Sequence, residues 1–314
     1  MKLIDVTLRD GGHQPQFRWP HRFASEYYKL STSAESINFV ELGYWKQTGK
    51  FDGDFYHLTE SLLDSLFLQQ RQKLAVMIDY HYCSKDLRDY PGQTSGALGL
   101  IRLTARREDY LPAVQFLAEL RAQTGAATSL NIFNVSNYDN SELDVAFQAI
   151  SSSPPDYVYL ADTHGSLDLE KEAPRFARAA QQISQMGATP GFHLHDHSGR
   201  AYHNFRQLEK LGFEITDVSL NGLGKGIGNL RLEHVIADDE LIPFLDMWWR
   251  NEELLSMKRS PFGLVTGLSS VTDHYADQAE EAGMSVAAFW EFVSSLKPRL
   301  RDNFDSSQLE EGFK

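Results

Sequence analysis

The chain has 314 residues, of which 42% are hydrophobic, so it is long enough to bury a full core. Its formal net charge of −13 repels polyanions, which excludes nucleic acid as an expected partner. A single cysteine, Cys83, excludes an internal disulfide framework and a cysteine-rich zinc site.

The sequence also bears on where the protein works. No stretch approaches the roughly 20 apolar residues that cross a bilayer, so we expect no membrane partner. The N-terminus enters a strand-like pattern at once, without the apolar region of a secretory signal. We therefore predict a soluble, cytoplasmic protein. The arginines Arg102, Arg106 and Arg107 form a local basic group, which we interpret as a solvated surface and not a phosphate site.

Short apolar runs alternate with longer helical patterns along the chain, which favours a parallel α/β architecture. The predicted strands are Lys2–Thr7, Phe39–Gly43, Leu74–Ile78, Ala97–Leu103, Ser129–Val135, Tyr157–Ala161, Gly191–His195 and Asp217–Leu220. The predicted helices between them are Asp54–Gln72, Asp109–Thr124, Ser141–Ser151, Leu167–Met186 and Ala201–Leu211. Beyond Ile236 the pattern is helical, over Leu241–Lys258, Thr272–Gly283 and Val286–Leu296.

Eight β/α units in about 240 residues have the size of a (β/α)8 TIM barrel. We therefore predict an α/β protein with a catalytic barrel over residues 1–240 and a short C-terminal helical extension over 241–314, whose last residues, 301–314, are frayed. A doubly wound open sheet is the alternative, because periodicity cannot show that a sheet closes. The absence of Gly-x-Gly-x-x-Gly after the first strand disfavours that alternative.

Two histidines end the seventh predicted strand. Side chains at i and i+2 leave the same face of a strand, so His193 and His195 are expected to point into one space. Asp10, which follows the first strand, would complete a three-ligand set with open positions. Such a set suits Mn²⁺, Mg²⁺, Zn²⁺ or Fe²⁺ acting as a Lewis acid. From spacing alone, ordinary surface or hydrogen-bonded histidines are equally compatible.

Other polar residues also follow predicted strands. Arg9 is a cation that can stabilise a developing oxyanion, or the partner of Asp10 in a surface pair. His13, after two glycines, is a candidate general acid/base or an exposed loop histidine. The glycine-rich segment 222–229 can wrap an anion or form a tight turn, and Asn229 can cap a following helix.

Five motifs span residues 2–235: Thr7-Leu8-Arg9-Asp10-Gly11, Val40-Glu41-Leu42-Gly43, Leu160-Ala161-Asp162-Thr163, His193-Leu194-His195-Asp196 and Gly222-Leu223-Gly224 through Gly228-Asn229. In this order and at this spacing they resemble the DRE-TIM metallolyases, (β/α)8 enzymes that make or break carbon–carbon bonds through a metal-bound enolate. The likeness is greatest to the 4-hydroxy-2-oxovalerate aldolase (class II pyruvate aldolase) type, in which a histidine follows the first motif, as His13 does here.

The resemblance implies a divalent-metal-dependent aldolase that cleaves or forms the C3–C4 bond of a 4-hydroxy-2-oxo acid. It implies that Asp10, His193 and His195 hold the metal, Mn²⁺ foremost, and that Asn229 ligates or approaches it. His13 would remove the proton of the C4 hydroxyl, and the products would be an aldehyde and a pyruvate-type enolate. Arg9 would stabilise that enolate.

The resemblance also suggests supporting residues and partners. Glu41 and Asp162 are predicted to orient Arg9 or the metal ligands. His164 stands where family members carry other residues, and it is a candidate to reach the substrate. The small-molecule partners are a 2-oxo acid and an aldehyde. No dehydrogenase partner is assumed, because the C-terminal extension is short. The oligomeric state stays open between a monomer and a homo-oligomer, since barrels of this group often associate but no interface pattern occurs in the sequence.

Two other functions remain open at this point. A Claisen-type synthase would join an acyl-CoA to a 2-oxo acid and release a free thiol without an aldehyde. A barrel that has lost catalysis would serve as a binding protein and would be inert and metal-free. The presence of Arg9, Asp10, His193 and His195 together disfavours the second alternative, because a binding role needs no such set.

Overall fold

In the computed structural model, which describes residues 1–66, 68–92, 98–302, 304, 305 and 308, eight parallel strands close into a barrel. Each strand pairs with its neighbour in chain order, and β1 pairs with β8 from Lys2↔Ile215 to Asp5↔Val218. The predicted (β/α)8 fold is confirmed. The open-sheet alternative is wrong, because hydrogen bonding between the first and last strands removes the two free edges of the sheet.

The strands are β1 (Lys2–Asp5), β2 (Ile37–Tyr44), β3 (Leu74–Asp79), β4 (Leu100–Thr104), β5 (Ala127–Ile132), β6 (Tyr157–Asp162), β7 (Thr189–Leu194) and β8 (Ile215–Val218). All eight predicted strands overlap an observed one. The fifth differs most, since both of its observed ends come earlier than predicted. Ala97, the predicted first residue of the fourth strand, lies outside the described residues. His195 lies just beyond β7, in a single antiparallel bridge with Asn229.

The helices of the described residues are α1 (His21–Ser33), α2 (Glu60–Ser65), α3 (Tyr110–Thr124), α4 (Asn140–Ile150), α5 (Ala173–Gln185), α6 (Ala201–Leu208), α7 (Asp238–Arg250), α8 (Pro261–Leu268), α9 (His274–Glu281), α10 (Val286–Ser295) and α11 (Pro298–Asp302). Helices α1, α8 and α11 were not predicted, and α5, α6, α7 and α9 are shorter than predicted. No helix in the described part of the chain combines the length and the apolar character that a membrane crossing requires.

The predicted long helix over Asp54–Gln72 is wrong. The first part of this segment is held in irregular structure by backbone hydrogen bonds to distant residues. The Phe55 N–H donates to the Phe17 carbonyl at 3.2 Å, and the Leu58 N–H donates to the Tyr44 carbonyl at 2.9 Å. These bonds replace the i to i−4 bonds that a helix needs, so local helical preference is overridden by tertiary contacts.

The inside of the barrel has an apolar lower layer and a charged upper layer. Ile4, Leu100 and Ile215 are fully buried in the lower layer. Because alternate residues of a strand face the same side, Arg102 follows Leu100 and Asp217 follows Ile215 into the interior. The predicted solvated position of Arg102 is therefore wrong, since its exposure is 0%. Its neighbours Arg106 and Arg107 are exposed.

The helices after the barrel build a small core of their own around Tyr275 and Phe289. Two buried histidines at the barrel mouth bind this extension: His197 Nε2 lies 3.2 Å from Asp273 Oδ1, and His164 Nε2 lies 3.0 Å from Asp302 Oδ1. The extension therefore covers part of the carboxyl ends of the strands. Its boundary at residue 240 stays a prediction, and most of the segment 301–314 lies outside the described residues.

Candidate metal centre

Asp10, His193 and His195 meet at the carboxyl ends of β1 and β7. One ligand atom from each lies within 4.8 Å of the other two, and all three residues are buried. His193 Nε2 and His195 Nε2 are 3.1 Å apart, and His193 Nε2 is 4.0 Å from Asp10 Oδ2. Two imidazoles and one carboxylate at these separations form the three-ligand set that divalent transition metals accept.

The hydrogen bonding of His193 fits metal ligation. Its Nδ1 lies 2.8 Å from Asp217 Oδ2, and this carboxylate acts as the acceptor. Burial alone would raise the pKa of Asp217, but the charges and hydrogen bonds of Arg102 and His193 together lower it. The Nδ1–H of His193 therefore donates to Asp217, which leaves the Nε2 lone pair directed at the candidate metal position.

Asp10 is held as an anion. Burial alone would raise its pKa, but the charge of Arg9 together with His195, His193 and His13 holds the pKa well below the ordinary value. Arg9 Nη1 donates to Asp10 Oδ1 at 2.5 Å, and Asn229 Nδ2 donates to Asp10 Oδ2 at 2.6 Å. The Oδ1 atom of Asn229 is buried without a hydrogen-bond partner among the described residues. An unpartnered amide oxygen beside a carboxylate and two imidazoles fits a divalent cation.

The glycine-rich segment 222–229 folds into a tight turn that delivers Asn229 to Asp10. Gly222 and Gly228 have φ angles of 64° and 102°, a left-handed backbone that glycine adopts without steric cost. The Asn229 N–H donates to the Gly222 carbonyl at 2.9 Å and closes the turn. No α-helix begins at Asn229, since α7 starts at Asp238, so its predicted role as a helix cap is wrong.

A substitution at Gly224 tests whether the glycine-rich turn positions Asn229 against Asp10. A Cβ atom at Gly224 would lie 2.5 Å from Asn229 Nδ2 and 2.7 Å from Asp10 Oδ2. Gly224→Ala is therefore expected to displace these groups and weaken Mn²⁺ binding about 10-fold, measured by electron paramagnetic resonance of free Mn²⁺. Gly92→Ala is the matched control, because a Cβ there meets nothing within 4 Å. Equal Mn²⁺ affinity in the two variants would contradict the placement of Asp10 and Asn229.

His13 adjoins Asp10, since its N–H donates to the Asp10 carbonyl at 3.3 Å, and among the described residues its ring has no hydrogen-bond partner. Its imidazole packs edge-on against Phe17 and Phe51, with ring centroids 5.0 Å and 5.7 Å away. Burial lowers the pKa of His13 to about 3, so the ring is neutral near pH 7. A cavity of about 440 Å³ that includes Lys50 and Lys225 opens next to His13 and gives room for a small substrate group.

Glu41 lies where it can orient Arg9. Its Oε2 accepts from Arg9 Nε at 2.6 Å, and both side chains are buried. Arg9 is thereby clamped between two carboxylates, Glu41 and Asp10, with one nitrogen on each. A guanidinium fixed in this way presents a rigid cation next to the metal ligands.

Asp162 and His164 have different partners from those predicted. The carboxylate of Asp162 accepts the backbone N–H groups of Ser166 and Leu167, each at 3.1 Å, and does not orient Arg9. Burial raises the pKa of Asp162 to about 6. His164 is turned toward Asp302 in the extension, so it is occupied in holding α11 and is not placed toward the substrate. The residues after β6 are thus held by hydrogen bonds within their own loop and by the contact of His164 with the extension.

Asp217 was not predicted as a partner of His193, and Arg102 was predicted to lie on the surface. Arg102 donates to Glu41 Oε2 at 3.2 Å and to Asp217 Oδ2 at 2.8 Å. The alternation of inward and outward side chains along β4 and β8 could have predicted that Arg102 and Asp217 point into the barrel. Each of these charged residues lies two positions after a fully buried aliphatic residue, Leu100 or Ile215, and therefore shares its face.

The fold and this site define a (β/α)8 barrel with a candidate divalent-metal centre in its catalytic position, at the carboxyl ends of the strands. Comparison with known proteins agrees with the barrel fold. Residues 92–243 match the HMGL-like family model. This segment is just under half of the chain, and over it the sequence is similar to the HMGL-like family of the DRE-TIM superfamily.

Individual relatives are distant. The chain is 23% identical over 239 residues to an oxaloacetate decarboxylase of Mycobacterium tuberculosis, covering 75% of this chain and 68% of the relative. It is 22% identical over 247 residues to a 4-hydroxy-2-oxovalerate aldolase of Geobacillus genomosp. 3, covering 76% and 69%. The N-terminal domain of a candidate aldolase from Bacteroides vulgatus has the same fold, with a TM-score of 0.69, 16% identity and 99% coverage of both chains.

Proposed function

We propose that the protein is a divalent-metal-dependent lyase that cleaves, or in reverse forms, the C3–C4 bond of a 4-hydroxy-2-oxo acid. The observation that carries the proposal is the convergence of Asp10, His193 and His195, with Arg9 bound to Asp10. His13 adjoins Asp10, and its ring makes no hydrogen bond within the described residues, so it is the proposed base that aldol cleavage requires.

In this proposal Asp10, His193 and His195 hold the metal, with Mn²⁺ as the first choice, and the Oδ1 of Asn229 faces it. When bound, the metal supplies a Lewis acid that polarises the keto group of the 2-oxo acid. Arg9 binds the oxygen on which negative charge develops, because Glu41 and Asp10 fix its guanidinium at this position.

His13 is the proposed base. It takes the proton from the C4 hydroxyl, the C3–C4 bond breaks, and the electrons of that bond pass to C3 and the keto oxygen as the pyruvate enolate. The aldehyde leaves, and protonation of C3 then gives the 2-oxo acid. The group attached to C4 points into the cavity beside His13, where Phe51 forms part of the wall.

His13→Gln separates the role of this base from metal binding. We expect kcat for aldol cleavage to fall about 100- to 10,000-fold, the range for loss of a general base. Mn²⁺ affinity is expected to stay within about 3-fold of wild type, because no metal-ligand contact is removed. A variant with wild-type kcat would exclude His13 as the base.

The direct test is pyruvate release from a series of 4-hydroxy-2-oxo acids with and without Mn²⁺, coupled to lactate dehydrogenase. Release that depends on Mn²⁺ and yields an equal amount of aldehyde supports the proposal. Thiol release from an acyl-CoA with a 2-oxo acid would instead establish the Claisen-type synthase. A folded protein that binds no metal and converts neither substrate would establish a binding barrel.

A second candidate reaction is decarboxylation of a 2-oxo diacid, since one of the two relatives is named oxaloacetate decarboxylase. This reaction also ends in a pyruvate enolate, but it releases CO₂ and removes no hydroxyl proton. A base at His13 has no function in it, so the position of His13 favours the aldolase. His13→Gln would leave decarboxylation intact and abolish aldol cleavage, which distinguishes the two reactions.

We further propose that the protein works in the cytoplasm on small molecules. Its net charge of −13 disfavours nucleic acid, and its single cysteine, Cys83, is buried and free. A homo-oligomer is proposed from the resemblance alone, and no dehydrogenase partner is assumed. Light scattering of the purified chain measures the assembly state.

A further inference from the structure

A continuous chain of buried charged groups crosses the inside of the barrel, and the proposed mechanism uses its two ends. It runs from Arg9 through Glu41, Arg102 and Asp217 to His193. The successive contacts are 2.6, 3.2, 2.8 and 2.8 Å. The chain joins the cation proposed for the enolate, which follows β1, to a proposed metal ligand on β7.

Arg102 is the centre of this chain. Its side chain comes from β4, has no exposed surface and lies with its guanidinium carbon 4.4 Å from the centre of the Tyr159 ring. Burial alone would lower the pKa of Arg102, but the carboxylates of Asp217 and Glu41 raise it, so the group stays charged. It is enclosed below the site and does not face the cavity where a substrate would bind.

The hydrogen bonds of Arg102 converge on shared atoms. Glu41 Oε2 accepts from both Arg102 Nη1 and Arg9 Nε. Asp217 Oδ2 accepts from both Arg102 Nη2 and His193 Nδ1. Because the two Nη atoms belong to one rigid, planar guanidinium, they fix the two carboxylate oxygens relative to each other. Movement of Arg102 would therefore move the groups that orient Arg9 and His193 together.

We propose that Arg102 is a positioning residue that sets the orientation of both Arg9 and His193 through Glu41 and Asp217. This inference rests on the metal site proposed above. It assigns to a buried arginine an effect on metal affinity and on kcat, although Arg102 touches neither the metal position nor the substrate. A salt bridge with a purely structural role would change the stability of the fold and leave both quantities unaltered in the folded protein.

The test uses two variants of the full chain. Arg102→Met keeps an unbranched apolar stem and removes the guanidinium with both hydrogen bonds. Arg102→Lys keeps the buried positive charge, but a single ammonium group cannot reproduce the two-nitrogen fork, so it serves as the variant expected to fold. For both we expect Mn²⁺ affinity, measured by electron paramagnetic resonance, to fall about 10- to 100-fold. At saturating Mn²⁺, kcat is expected to fall more than KM changes.

Tyr159→Phe is the matched control, because it keeps the ring against Arg102 and removes a hydroxyl that has no hydrogen-bond partner among the described residues. It should retain wild-type Mn²⁺ affinity and kcat. A folded Arg102 variant with Mn²⁺ affinity and kcat within 2-fold of wild type overturns the inference, even if its melting temperature is lower. Failure of both Arg102 variants to fold also overturns it and assigns Arg102 to folding.

These outcomes are distinct from failure of the proposed function. If the wild-type protein binds no Mn²⁺, the metal site itself is wrong. If the wild type binds Mn²⁺ and the Arg102 variants bind it equally well, the metal site stands and the positioning role of Arg102 is excluded.

Discussion

Asp10→Asn is expected to abolish high-affinity Mn²⁺ binding and to lower pyruvate release at least 1,000-fold. The substitution removes the anionic member of a buried ligand set that otherwise contains two neutral imidazoles. It also leaves an amide against Arg9 Nη1 and Asn229 Nδ2, two donors that require an acceptor. Loss of a Lewis acid costs several kcal/mol of transition-state stabilisation, which corresponds to about three orders of magnitude in rate.

The matched control for Asp10→Asn is Asp196→Asn. Asp196 adjoins His195, but its carboxylate accepts the Ala201 N–H at the start of α6, 2.9 Å away. This control is expected to lose about 1 kcal/mol of stability and to keep its metal. Mn²⁺ binding by Asp10→Asn with wild-type affinity, seen by electron paramagnetic resonance, would contradict the assignment of Asp10 as a ligand.

Arg9→Met is expected to lower kcat about 100- to 1,000-fold while Mn²⁺ remains bound. Arg9 touches Asp10 through one nitrogen and Glu41 through another, so its position is fixed before substrate arrives. A preorganised donor of this kind acts on the charge that develops in the transition state, and its removal has an effect of this size in other enzymes. Glu41 keeps Arg102 as a charged partner in the variant, so we expect the protein to fold.

Arg9→Lys separates charge from geometry. It restores a cation, but one ammonium group cannot bind Glu41 and Asp10 in the same arrangement, so partial recovery of kcat is expected. Steady-state kinetics at saturating Mn²⁺, with Mn²⁺ affinity measured in parallel, gives both quantities. If Arg9→Met retains kcat within about 3-fold of wild type, Arg9 does not stabilise the enolate.

The barrel was predictable because parallel strands covered by helices appear in sequence as short apolar runs. All eight runs lie in strands, with their ends shifted by a few residues. The segment Asp54–Gln72 was not predictable in the same way, since its irregular backbone depends on hydrogen bonds to Phe17 and Tyr44. Helix α8 begins with Pro261 after the cap residue Ser260, a local start signal that the sequence analysis did not use.

Part of the site was predictable from residue spacing and motif order. The i, i+2 spacing of His193 and His195 indicated a shared direction, and motif order associated them with Asp10. Arg102 was misplaced because both faces of a barrel strand are buried, and the interior face is known only when the apolar lower layer has been identified. The partners of Asp162 and His164 depend on the conformation of one loop and on the extension, which spacing does not reveal.

In the proposed reaction the barrel generates a pyruvate enolate at a metal site in which Asp10 is a ligand. The most direct measurement is exchange of the methyl protons of pyruvate with D₂O, followed by proton NMR, because it needs no knowledge of the aldehyde. We expect exchange that requires both the protein and Mn²⁺ and that is lost in Asp10→Asn. Wild-type protein that binds Mn²⁺ but leaves the methyl protons unexchanged, or equal exchange by Asp10→Asn, would contradict it.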